Sequence, residues 1–138
     1  MRQVASHRLW LGNALDARDV KRLYESEIAA VVDLAIEEKP AVLGREMTYC
    51  RFPLVDGAGN SPAILRAAVE MTQRLVEQQV LTLVACGAGM SRSPAVAAMV
   101  IARLSGRPPD DVLAELVAMR PHDVSPLVWA DLKRAMSS

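Results

Sequence analysis

Apolar residues follow two rhythms along this chain. Ile28 to Leu34 and Val80 to Ala85 are short, almost unbroken runs, as expected of strands covered on both faces. Met47 to Leu54 reads as a further strand. Shorter apolar segments around Val4 and at Leu9 to Leu11 open the chain and close at Gly12-Asn13. Elsewhere the spacing lengthens to a helical one. Asp16 to Tyr24 predicts a helix with Val20, Leu23 and Tyr24 on one side. Ser61-Pro62 predicts the start of a long helix, with serine as N-cap and proline at the first helical position. Ile64, Leu65, Ala68, Met71, Thr72, Leu75 and Val76 then recur at helical spacing, opposite Arg66, Glu70, Gln73, Arg74 and Glu77. From Ser93 to Leu104 nearly every residue is apolar, so this helix must be enclosed by the rest of the fold; Ser105-Gly106 ends it. Asp110 to Met119 and Ser125 to Met136 predict two more amphipathic helices. Strands alternating with helices predict an α/β fold, a single domain over residues 1–138 whose central, mostly parallel sheet of about four to five strands is flanked by helices.

The polar interruptions of this pattern carry the candidate chemistry. "EEKP", at residues 37–40, reads as a surface loop. "VDGAGN", at residues 55–60, is a loop rich in turn pairs. The third interruption, between the strand ending near Ala85 and the enclosed helix, reads Cys86-Gly87-Ala88-Gly89-Met90-Ser91-Arg92-Ser93. A strand–loop–helix unit gathers backbone N–H groups and the positive end of a helix dipole at one point, where anions bind. Gly87 and Gly89 let the loop curl with its amides inward. Arg92 adds a planar fork of donors suited to phosphate or sulfate oxygens. Amides, dipole and guanidinium together favour the charged form of a cysteine placed there. The loop therefore reads as a phosphate cradle, residues 87 to 92, with Cys86 as a nucleophile on its floor.

Phosphoryl transfer through a cysteine also needs a proton donor for the leaving oxygen. Asp56 is the candidate, thirty positions before Cys86 and one helix away. A random Asp-Gly pair is a turn and nothing more. Parallel strands joined by a crossover helix, however, place the loops after both strands at the same edge of the sheet.

Composition narrows the partners. Sixteen basic residues balance sixteen acidic ones, and aromatic residues are 4% of the chain, so neither the basic stripe nor the stacking platform of a nucleic-acid binder is present. The longest apolar stretch, Pro94 to Ala102, falls far short of the ~20 residues a membrane span needs. The N-terminus lacks the charged-then-apolar pattern of a signal peptide. Cys50 and Cys86, the two cysteines, have no metal-ligand spacing and do not form a disulfide framework. A reducing cytoplasm is the expected location. Cys50 reads as structural, on the second long strand.

The loop resembles the Cys-x5-Arg-Ser/Thr signature of the protein tyrosine phosphatases, and its context resembles their compact dual-specificity branch. "HRLWLGNALDARD" is similar to that branch's opening strand and first helix, and "IAAVVDLAIE" to its next strand. "CRFPLVD" is similar to the strand leading into the general-acid loop, and "RPHDVSPLVWADL" to the closing segment. The resemblance covers nearly the whole chain. It implies that Cys86 attacks phosphorus to form a cysteinyl-phosphate. Asp56 would protonate the leaving oxygen and then activate water. Arg92 and the amides of Gly87, Ala88, Gly89, Met90, Ser91 and Arg92 would hold the equatorial oxygens. Ser93 would hydrogen-bond Cys86 and help it leave. No cofactor or metal is implied. The family usually has a histidine before the nucleophile; here it is Ala85, which puts rate and pH optimum in question rather than reaction type. His7 and His122 are too remote in sequence to take that role and read as ordinary surface or packing residues.

The residues between Cys86 and Arg92 are uncharged, whereas phosphoinositide-specific relatives tend to carry lysines there. The implied substrates are phosphotyrosine, and also phosphoserine or phosphothreonine, in proteins, or a small phosphomonoester; neither nucleic acid nor membrane is expected as a partner. Two rival readings remain at this point. A non-catalytic phosphate-binding module would need Arg92 but neither Cys86 nor Asp56. A rhodanese-like sulfurtransferase would use Cys86 in an amide-lined loop but have no use for Asp56 or Ser93.

Overall fold

Five strands form one sheet in the order β1-β2-β5-β3-β4. They are β1 (Arg2–Gln3), β2 (Leu9–Asn13), β3 (Ala30–Ala35), β4 (Thr48–Leu54) and β5 (Thr82–Cys86). Pairing is parallel throughout β2, β5, β3 and β4; only the short β1 runs antiparallel, against β2. The computed structural model describes residues 1–4, 8–119 and 122–137. His7, and Arg120 and Pro121 of the closing segment, lie outside the described residues.

The continuous apolar runs are the central strands. Every residue of β3 and β5 is buried, because helices cover both faces of the sheet. Alternate side chains serve two cores. Leu83, Ala85 and Val31 meet Ala17, Leu23 and Ile28 on one face. Val84, Cys86, Val32 and Leu34 meet the long helices on the other. Those helices are α3 (Pro62–Glu77), α4 (Arg92–Ser105), α5 (Pro109–Met119) and α6 (Pro126–Met136). Residues Arg92 to Ala102 of α4 are all buried, as its composition requires. Ser61 and Ser125 cap α3 and α6 through their side chains, each with proline at the helix start. Gly106 ends α4 in the left-handed conformation, at φ 70°.

The helix expected over Asp16 to Tyr24 is instead two, α1 (Ala14–Arg18) and α2 (Val20–Glu25). Asp19 separates them: its ψ of 81° leaves the helical region, and its carboxylate caps α2 by accepting from Arg22 N–H. A short acidic side chain competing for backbone donors is the reason the helix breaks there. Tyr24, placed by periodicity on the inner face, is exposed and bonds Glu46 instead. On α3, Val69 is buried while Ile64 and Met71 are partly exposed, so its inner stripe is rotated from the one expected.

β4 is the edge strand, which is where its Pro53 can be tolerated. Pairing between β3 and β4 shifts at this point: Asp33 faces Arg51, but Ala35 faces Leu54. The parallel registers bring the C-terminal ends of four strands together. Asn13 of β2 pairs with Cys86 of β5, while β3 and β4 run on into Glu37 and Asp56 at the same edge.

Candidate active site

At that edge β5 delivers Cys86, 2% exposed, and the chain turns through residues 87–91 before entering α4. The turn is possible because of its glycines. Gly89 has φ 74°, and a Cβ there would lie 2.9 Å from the carbonyl oxygen of Gly12. A Cβ at Gly87 would strike the Glu37 carboxylate and sit 3.1 Å from Arg92 Nη2. The loop also leans on the corner between β2 and α1, where Ala14 N–H donates to Gly87 C=O at 3.3 Å. That corner is itself fixed: Asn13 and Asp16 form a reciprocal capping box.

Ser91 occupies the N-cap position of α4 but does not cap it through its side chain. Its hydroxyl donates to Asp56 Oδ1 at 2.6 Å and accepts from Ser125 N–H at 2.8 Å. Among the described residues no side chain caps the first amides of α4, which remain donors at the loop. The Ser91 contact also joins the acidic loop to the cysteine loop across 35 positions of sequence. Asn60 shapes the acidic loop from within, accepting from Val55 N–H and donating to the carbonyls of Val55 and Gly57.

Arg92 is 4% exposed and held by a partner that the sequence pattern placed on the surface. Glu37, in "EEKP", takes Nη1 at 2.7 Å and Nη2 at 2.5 Å, a bidentate pair. Nη1 also donates to the carbonyl of Leu54 at 2.8 Å. A guanidinium has five N–H bonds, so Nε–H and one Nη2–H are left, side by side on one edge. Nε is buried and has no partner among the described residues. That edge is a second fork of donors beside Cys86. The Glu37 hydrogen bonds hold Arg92 firmly protonated, against desolvation, with the charges of Cys86 and Asp56 adding to the effect. The same hydrogen bonds from Arg92 hold the Glu37 carboxyl below its ordinary value.

Ser93 is fully buried, and its hydroxyl donates to Gly12 C=O at 3.5 Å rather than to Cys86. The bond to the nucleophile expected of Ser93 is not present among the described residues; its hydroxyl instead has the β2 carbonyl of Gly12 as partner, at the outer limit of hydrogen-bond distance. Ala85 points to the opposite face from Cys86, fully buried against α1, and its lateral neighbours are Gly12 and Asp33. His122 lies far along the chain, with Arg2 Nη2 at 2.8 Å from its Nε2.

Cys50 sits on β4, and β3 runs between it and β5. Strands two apart are separated by about 9.5 Å, beyond the ~7 Å that a disulfide spans between Cα atoms. Both thiols are free, and burial raises that of Cys50. Among the described residues no cluster of three His, Cys, Asp or Glu side chains could hold a metal ion, and no helix is long and apolar enough to cross a membrane.

No family model matches the chain. Human dual specificity protein phosphatase 15 is 29% identical over 118 residues, 82% of this chain. The chain spans 38% of the length of that relative. The fold superposes on the crystal structure of human DUSP28 with a TM-score of 0.81 and 23% identity, covering 94% of this chain and 92% of the other. It also superposes on OH1 from the Orf virus, described as a tyrosine phosphatase, with a TM-score of 0.71 and 25% identity over 98% and 83% of the two chains.

Proposed function

We infer that this chain, whose sequence and fold are similar to those of the compact dual-specificity branch of the cysteine-dependent protein tyrosine phosphatases, hydrolyses phosphomonoesters at Cys86. The substrates are phosphotyrosine, and with it phosphoserine and phosphothreonine, carried on proteins. The observation that carries this reading is the 2.6 Å contact between Ser91 and Asp56. It supports a carboxyl and a nucleophile working in one site, which neither a binding module nor a sulfurtransferase would need.

In the first step the Cys86 thiolate attacks phosphorus from the floor of the loop. The bond from phosphorus to the leaving oxygen breaks as the Asp56 carboxyl delivers its proton there. Oδ1 is fixed by Ser91, so Oδ2 is the oxygen that carries the proton. The loop amides and the Nε/Nη2 edge of Arg92 hold the three equatorial oxygens as they spread into the trigonal-bipyramidal transition state. In the second step water attacks the cysteinyl-phosphate and gives a proton to the Asp56 carboxylate. The phosphorus–sulfur bond breaks, and the thiolate and inorganic phosphate are released. Ser93, directed to Gly12 at rest, would have to redirect its hydroxyl to assist the leaving sulfur.

The test is hydrolysis of p-nitrophenyl phosphate in the presence of EDTA, followed by a panel of phosphopeptides. Wild type should turn over with EDTA present and Cys86→Ser should be inactive. Activity that survives Cys86→Ser, or that EDTA abolishes, refutes the reading. Thiosulfate sulfurtransferase activity in place of phosphatase activity would favour the rival.

A further inference from the structure

The grip of Glu37 on Arg92 has an unusual requirement. A half-exposed glutamate on a loop must present both oxygens to one edge of a buried guanidinium. Side-chain rotation alone gives it many other choices, so the backbone of the turn at residues 35–38 must be fixed first. Among the described residues the backbone holds it only by two long bonds, Ile36 N–H donating to Leu54 C=O at 3.4 Å and Glu38 N–H donating to Ala35 C=O at 3.3 Å. The β3–β4 register slips between Asp33 and Ala35, and Pro53, lying opposite this stretch, has no N–H to offer the ladder. Ala35 N–H turns back to its own chain, donating to Asp33 Oδ1 at 3.1 Å.

The charged donor comes from a side chain. Arg51, on β4 opposite Asp33, reaches under the turn. Its Nη2 lies 3.0 Å from Ala35 C=O, 3.3 Å from Ile36 C=O and 2.6 Å from Glu38 C=O. Three carbonyls flanking Glu37 on both sides thus converge on one cationic nitrogen, and charge-assisted bonds of this kind are the stronger ones. From the other side Arg18 donates to Glu38 Oε2 and Lys39 C=O, so among the described residues its hydrogen bonds to this turn begin only at residue 38. We propose that Arg51 is a positioning residue for the phosphate-binding arginine: it locks the turn from which Glu37 orients Arg92, and so sets the donor edge that meets the substrate's oxygens. This rests on the phosphatase reading of the loop. Among the described residues Arg51 makes no hydrogen bond to Cys86 or Arg92, and acts only through the turn and Glu37.

Two readouts separate this role from a merely structural one: the affinity for inorganic tungstate, measured by calorimetry on folded protein, and a mutant cycle with Glu37. Arg51→Met keeps the stem and removes the donors. It should weaken tungstate binding and lower kcat/KM for p-nitrophenyl phosphate by roughly ten- to hundredfold, the scale of a small misplacement in a preorganised site. Arg51→Lys, which returns one cationic nitrogen to the three carbonyls, should recover part of the loss. Arg51→Met/Glu37→Gln should be no worse than Glu37→Gln alone, because both changes act through the same carboxylate. Folded Arg51→Met that binds tungstate like wild type, or losses that multiply in the double variant, would overturn the proposal. If Arg51→Met does not fold, Arg51→Gln is judged by the same two criteria. Wild type that fails to bind tungstate would instead refute the phosphatase reading itself, and this inference with it.

Discussion

Gly89 offers a test in which the chain supplies its own control. Its φ of 74° belongs to the left-handed region, and a Cβ there would sit 2.9 Å from Gly12 O and 3.0 Å from Gly12 C. Neither atom can move aside cheaply, since β2 is paired along its length with β5 and Gly12 C=O accepts from Ser93. Gly106 has nearly the same φ, 70°, with nothing within 4 Å of its would-be Cβ. Gly106→Ala therefore reports the backbone cost alone, about 1–2 kcal/mol. Gly89→Ala carries that cost plus a steric conflict with rigid backbone, about 1–3 kcal/mol more. In a domain of this size each kcal/mol lowers Tm by roughly 4 °C. Relief of the conflict requires the cysteine loop to back away from the β2–α1 corner, so the inward amides lose their common focus. The loss of tungstate affinity should then be tenfold or more, equivalent to about 1.4 kcal/mol, while Gly106→Ala leaves binding intact. Urea denaturation and tungstate calorimetry on the two variants measure both effects. Equal stabilities for the two variants, with equal binding, would show that the loop does not depend on its contact with Gly12.

Asp56→Asn should lower kcat by about 10²–10⁴ for alkyl phosphates and by less for aryl phosphates with good leaving groups; a uniform loss across leaving groups would exclude Asp56 as the acid. Ser91→Ala releases Asp56 Oδ1 and orphans Ser125 N–H, so kcat should fall roughly tenfold with tungstate affinity kept, at a stability cost of about 1–3 kcal/mol; an unchanged kcat in the folded variant would refute its role in orienting Asp56. The pH dependence of stability should carry the mark of Glu37. Its carboxyl is depressed below the ordinary 4.5 chiefly by the Arg92 hydrogen bonds, so its contribution is full above about that pH and is lost as pH falls through the lower folded value. Glu37→Gln should flatten this acid limb, by less than about 1 kcal/mol because the carboxylate is half in water and screened; a stability profile parallel to wild type between neutral pH and pH 3 would refute the assignment.

Much of the fold was legible in the chain because its signals are local. Unbroken apolar runs imply strands covered on both faces, and β3 and β5 are such strands. Ser-Pro pairs begin α3 and α6, and Ser105-Gly106 ends α4, because caps and left-handed turns are settled by a few adjacent residues. The cysteine loop was readable for the same reason: nucleophile, glycines, arginine and helix start all lie within eight positions. The parallel alternation of strands and helices was enough to place Asp56 at the same edge as Cys86.

What the tertiary structure alone decided is which side chains pair across that edge. Glu37 looked like a solvated loop charge, yet it holds Arg92 from 55 positions away. Ser91 counted only as a loop amide, yet its hydroxyl fixes Asp56; Ser93 gives its proton to a strand carbonyl rather than to the nucleophile. Arg51 lies in a stretch read only as strand, and its three carbonyl partners gather where β3 leaves the ladder and turns, beyond the register shift against β4. Periodicity records how strongly each position is withdrawn from water, a property each residue carries along the chain. A hydrogen bond between distant side chains depends on angstrom-scale register between strands, and that register exists only once the sheet has assembled.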